Sequence, residues 1–229
     1  MKTATTRGTT RRKVFAIAAG GAALGLGVTA TLAAWTDTEW VFGGDGAGGP
    51  GVGTSTFSVE QNTVAPYTTA ADWVNEPANP GGEIVFGPDA LDLAPGDTVY
   101  AAVALRTAPG SVAGDVDLQP AVPAAGVTTN DTAGLLFGAL NVRVATATAA
   151  FTCDATAFAA GSTATLISDG PLATTGGSAS QSLVADAGST QVYCFEISLP
   201  DPLTLAPGTT IDDYMGLTVA PAWEFQAES

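Results

Sequence analysis

Six aspartates form the pairs that could share a proton-transfer reaction: Asp92 with Asp97, Asp115 with Asp117, and Asp212 with Asp213. Two carboxylates facing each other across a cleft can hydrolyse a glycoside, one as acid and one as base or nucleophile. Here each pair sits among turn residues, where a carboxylate more commonly caps a turn or faces solvent. Other routes are closed by composition. The chain has no histidine, which removes Ser–His and Cys–His nucleophile pairs and the usual zinc sets. Its lysines, Lys2 and Lys13, both lie in the first thirteen residues, so the rest of the chain has no amine for Schiff-base or Ser–Lys chemistry. The glycine-rich Gly43–Gly53 lacks the Lys-Ser/Thr ending of a phosphate loop. Calcium needs only oxygen ligands, but no EF-hand pattern is present. The residues predict a protein that is not an enzyme and holds no metal or cofactor.

Cys153 and Cys194 are the only cysteines. An even count in an exported chain predicts one disulfide, and a buried pair of free thiols is the competing reading. Asn130-Asp131-Thr132 fits the glycosylation acceptor pattern, which is too common to carry weight.

The reason to expect export lies at the start. Lys2, Arg7, Arg11, Arg12 and Lys13 precede an almost wholly apolar Val14–Ala34, which closes on the small residues Ala33 and Ala34. That is the layout of a secretory signal. A retained membrane helix is the alternative, but a run this rich in Ala and Gly makes a weak anchor. Arg11-Arg12 loosely fits a twin-arginine signal, and the general export route is preferred. The expected organisation is a signal peptide over 1–33, an N-terminal segment with a glycine-rich tether over 34–53, and a folded domain over 54–229. The expected location is secreted or at the cell surface, with the mature form outside the bilayer. Beyond the signal, 22 carboxylates face only Arg106 and Arg143, a net charge near −20. Self-repulsion of this size favours solubility and opposes binding to nucleic acid.

From Thr54 onward the pattern has the two-residue period of strands. Thr98–Thr107 sets Val99, Ala101, Val103 and Leu105 against Tyr100, Ala102, Ala104 and Arg106. Leu140–Thr146 alternates in the same way, and Gln191–Leu199 places Tyr193, Phe195, Ile197 and Leu199 opposite Cys194 and Glu196. Leu217, Val219, Trp223 and Phe225 share a parity broken by Pro221, the mark of an edge strand or a bulge. Shorter candidate strands are Thr56–Val59, Glu83–Phe86, Val116–Leu118 and Ala164–Ile167. No window carries a long helical stripe. LDLAPGDTV at Leu91–Val99 recurs as LTLAPGTTI at Leu203–Ile211. Both predict a strand ending in two inward leucines, a Pro-Gly turn, and a new strand. The fold class expected is all-β, an antiparallel β-sandwich with one disulfide.

Between signal and domain lies Trp35-Thr36-Asp37-Thr38-Glu39-Trp40-Val41-Phe42, long enough for one strand. It is followed by GGDGAGGPGVG, seven glycines in eleven residues, which reads as a slack tether unable to hold a paired strand. The segment could fold onto its own sheet, stay disordered, or add a strand to a neighbour.

The Ala/Gly-rich signal, Leu32-Ala33-Ala34-Trp35-Thr36-Asp37, the Leu-x-Pro-Gly-Asp turn and the terminal Trp223-Glu224-Phe225-Gln226-Ala227 together resemble the TasA/camelysin family. The likeness is to its actinobacterial members with alternate-type, SipW-class signal peptides. The resemblance implies cleavage by a dedicated signal peptidase near Ala33 and Ala34 and a jelly-roll-like β-sandwich. It also implies a biofilm-matrix role, in which the processed N-terminal segment completes the sheet of the next subunit. Trp35 to Phe42 would then be the donor strand, and the partners further copies or related matrix subunits. Some members are described as metalloproteases, and a chain without histidine departs from them. The cysteine pair and the long glycine tract depart from the fibre-forming members. The runner-up reading is a monomeric surface module that recognises a wall polymer or a partner protein.

Overall fold

A computed structural model describes residues 38–229. Thr54–Ser229 forms one compact unit, and residues 38–53 belong to another.

The domain is all-β and antiparallel. Its strands are β1 (Val59–Asn62), β2 (Thr98–Thr107), β3 (Gly114–Leu118), β4 (Val122–Pro123), β5 (Asn141–Ala147), β6 (Thr165–Pro171), β7 (Gln181–Leu183), β8 (Gln191–Ser198), β9 (Pro221–Ala222) and β10 (Phe225–Glu228). A single α-helical turn, α1 (Leu135–Ala139), lies between β4 and β5. Five strands form one sheet in the order β1-β2-β8-β5-β6, and three form a second in the order β10-β3-β7. β4 and β9 pair with each other.

The alternation read from the sequence explains the core. Val99, Val103 and Leu105 of β2, Val142 and Val144 of β5, Ile167 of β6, and Tyr193, Phe195 and Ile197 of β8 turn to one side. Val116, Leu118 and Leu183 of the second sheet join the same cluster, with Phe225 and Ala227 packed against it. Tyr193 and Phe225 meet edge-on across the two sheets, with ring centroids 4.8 Å apart. Burying each of these side chains contributes roughly 1.5–3 kcal/mol.

The second face of β8 is covered as well. Trp73, with Tyr67 and Phe151, packs on Ala104 and Val192. Phe151, Phe158 and Tyr100 surround Ala145, Ala157 and Cys194. Cys194 is fully buried in mid-strand and bonded to Cys153, so the predicted disulfide ties the segment after β5 to the sheet. Both arginines of the domain serve this layer. Arg106 pairs with Glu60 at 2.9 Å and lies over the Trp73 ring at 4.2 Å. Arg143 pairs with Glu196 at 3.2 Å and lies over Phe158 at 4.8 Å.

Several expectations need correcting. Thr56–Val59 gives way to β1, which shares only Val59, because pairing starts where β2 can receive it: Val59 opposes Thr107. Glu83–Phe86 forms no strand; Ile84 and Phe86 pack on the core from a loop. The repeated turn is present twice, with Gly96 and Gly208 at positive φ and closing bonds from Asp97 N–H to Ala94 C=O and from Thr209 N–H to Ala206 C=O. Neither copy follows a strand, and only one leucine of each packs inward: Leu93 in the first, Leu203 in the second. After the first turn ten alternating residues become β2. After the second, Thr210 and Asp213 cap the 3-10 helix Ile211–Tyr214 instead.

Replacing Cys153 and Cys194 together by Ala should lower unfolding free energy by about 4 kcal/mol on the chain-entropy account. Denaturant titration of the oxidised protein beside the double variant measures it.

Candidate functional site

All six of the paired aspartates are exposed. Asp115 and Asp117 stand on the solvent face of β3, where the Ser182 hydroxyl donates to Asp115 at 2.6 Å. Asp97 accepts from the Ala94 N–H at 2.8 Å within its turn. Asp213 accepts from the Thr210 N–H at 2.7 Å and hydroxyl at 3.0 Å, and these bonds hold its carboxyl below the usual range. Asn130 is spent on structure as well. Its amide donates to the Gly216 carbonyl at 2.8 Å and its oxygen accepts from the Thr218 N–H. A hollow of about 160 Å³ lies between Val127, Phe137 and Val219. Its one acid, Asp131, is turned to the N–H groups of Leu135 and Phe137, at 2.8 Å each. Among the described residues, no three acidic or thiol side chains converge to hold a cation.

The sheet edges offer more. The outer side of β1 is closed by Val74, which exchanges two backbone bonds with Gln61 at 2.8 and 2.9 Å. The outer side of β6 receives the Ser178 N–H on the Ile167 carbonyl at 2.7 Å. β7 is three residues long. β10 differs from all of these. Glu224 C=O accepts from Gln119 N–H, so alternation turns Gln226 and Glu228 toward β3 and leaves the N–H and C=O of Phe225 and Ala227 pointing away. Among the described residues, no hydrogen bond reaches those four groups.

The ribbon of β3 with β10 continues into β4 with β9 after a one-residue slip. Leu118 opposes Phe225, but Val122 opposes Ala222. Trp223 sits at the slip, and Pro221 beyond it, so the broken parity read in the sequence marks both an edge and a bulge. Behind the edge, Tyr193 Oη and Trp223 Nε1 are buried donors that find no partner among the described residues. Burial pushes the Tyr193 hydroxyl well above the usual tyrosine range, with the charge of Asp117 adding to it.

The candidate cleavage residues Ala33 and Ala34, and Trp35, Thr36 and Asp37 of the candidate donor, lie outside the described residues. Thr38, Glu39, Trp40, Val41 and Phe42 are exposed and in no strand; Trp40 is 91% exposed and Phe42 77%. Within the glycine tract the chain doubles back on itself. Gly44 and Pro50 form an antiparallel bridge, and Gly51 N–H donates to Gly43 C=O at 3.1 Å. Asp45 closes the loop by accepting from the N–H groups of Ala47 and Gly49 at 2.8 and 2.9 Å. A Cβ at Gly49 would meet the Asp45 carboxylate at 2.5 Å, and one at Gly51 the Gly44 backbone at 2.6 Å. Glycine is there because the chain doubles back on itself. The aspartate two residues ahead of Ala47 was the sequence signal for an Asx turn.

Comparison of the chain with the models of known protein families and with curated proteins finds no match.

The bonds from Ala47 and then Gly49 hold the Asp45 carboxyl below its ordinary 3.8. A lowered pKa means the loop is intact above the free-aspartate value and opens as pH falls through the lowered one. NMR titration should show the Ala47 and Gly49 amide shifts moving with one midpoint below 3.8, and Asp45→Asn should abolish that transition.

Proposed function

We propose that this chain is an exported structural protein of the cell surface or extracellular matrix, assembling by strand addition. Trp35 to Phe42 of one copy lies along β10 of the next. The observation that carries this reading is the open β10 edge, whose Phe225 and Ala227 offer two donors and two acceptors with apolar side chains below them. The exposed Trp40-Val41-Phe42 run supplies the complementary element. Eight extended residues span about 26 Å at 3.3 Å each, which suits the eight positions from Pro221 to Glu228. A contact between two different surfaces repeats head to tail and builds filaments when it does not close into a ring.

Further support comes from the rest of the chain. The signal-like N-terminus implies a signal peptidase as transient partner, and a disulfide fits an oxidising compartment. Among the described residues, no helix is long and apolar enough to cross a membrane. Two sheets around one core suit the jelly-roll-like sandwich implied by the resemblance to the TasA/camelysin family.

Light scattering compares the oxidised chain starting at Ala34 with one starting at Thr54. Large species should form only with the longer chain. Ala227→Pro removes an outward N–H without touching the bonds to β3, so it should stop assembly and leave the thermal midpoint nearly unchanged. If the Thr54 form assembles equally well, or both forms stay monomeric in every buffer, strand addition fails. The monomeric binding module then takes its place.

A further inference from the structure

We infer that assembly at the β10 edge is gated by ionic screening, so that copies join in salt and stay apart in dilute buffer. The inference rests on the strand-addition reading and concerns the charges its register brings together. On the solvent face of the three-stranded sheet, Glu228 stands directly opposite Asp115, and Gln226 opposite Asp117, with Glu224 one step further along the same face. All five side chains are exposed. Like charges directly opposite one another across strands are destabilising, and this sheet already carries one such pair.

An incoming strand that seats Trp40 and Phe42 beside Phe225 and Ala227 must point its alternate residues outward. Those residues are Trp35, Asp37, Glu39 and Val41. Parallel or antiparallel entry gives the same result, because both acids share one parity. The new edge therefore sets Glu39 about 4.8 Å from Glu224 in parallel entry or from Glu228 in antiparallel entry, with Asp37 two residues further along the same face.

Among the described residues, no side-chain cation is placed to offset them. Arg106 and Arg143 are the only basic residues beyond Lys13. Both lie on the five-stranded sheet, engaged by Glu60 and by Glu196 and Asp169. Relief must come from solvent ions. The screening length falls from about 30 Å at 0.01 M to about 3 Å at 1 M, so salt removes repulsion among these exposed acids. Burial of Trp40 and Phe42 is left intact by the same change.

Light scattering of the oxidised chain starting at Ala34 tests the gate between about 10 mM and about 500 mM NaCl, with MgCl2 at matched ionic strength. The critical concentration should fall about tenfold across that range. The double variant Glu224→Gln with Glu228→Gln, and separately Glu39→Gln, should assemble in dilute buffer as the parent does only in salt. Thermal unfolding checks that the variants stay folded. An unchanged salt response in both variants, or a parent indifferent to salt, overturns the gate while strand addition stands. MgCl2 acting far beyond its ionic strength overturns screening in favour of a cation site. No assembly at any salt concentration overturns strand addition and the gate together.

Discussion

The domain depends on β8 being buried on both of its faces. Seven consecutive residues, Gln191 to Ile197, have little contact with solvent. One face gives Tyr193, Phe195 and Ile197 to the core between the two sheets, and the other gives Val192, Cys194 and Glu196 to a covering of loops. A strand in that position needs neighbours on both sides to use its backbone polar groups, and β2 and β5 supply them along nearly its whole length. Everything else is arranged around this strand.

The loop layer has no regular hydrogen-bond ladder of its own, so side chains must hold it. Three devices do so. The disulfide fixes one segment at Cys194, Arg106 clamps Trp73, and Arg143 clamps Phe158. Each arginine also meets a carboxylate on an adjoining strand, Glu60 or Glu196. Partly buried guanidinium groups stacked on aromatic rings contribute more than exposed ion pairs do, because solvent screens them less. The acids that lack such partners face outward, and solubility through mutual repulsion follows from that separation.

The N-terminal segment and the β10 edge pose one problem from two sides. An exposed aromatic run has apolar surface to bury, and an unpaired strand edge has backbone groups to satisfy. The proposed strand addition would meet both needs with one contact. The closed loop around Asp45 shortens the reach of the connection, since Gly43 and Gly51 are held together by a hydrogen bond. A chain described by composition as slack is in that stretch doubled back.

Much of this was legible in the residues. Ten alternating positions predicted β2 to the residue, and the runs at Leu140 and Gln191 predicted β5 and β8 within one residue at each end. Alternation works there because a strand with one face in the core must repeat every two residues. The disulfide was expected from an even count of two cysteines in a chain whose N-terminus reads as a signal. The sequence could not place β4 and β7, whose two and three residues are too short to show a period. It also misread Glu83–Phe86, because an apolar run packs equally well from a loop. Which edge stays open was beyond it: the closure of β1 by Val74 and of β6 by Ser178 joins residues distant in the chain or packed back over a strand. Local pattern set the identity of the strands and the face each would bury. Only the tertiary structure decided which backbone groups would be left without a partner, since pairing is a relation between segments and no single segment encodes it.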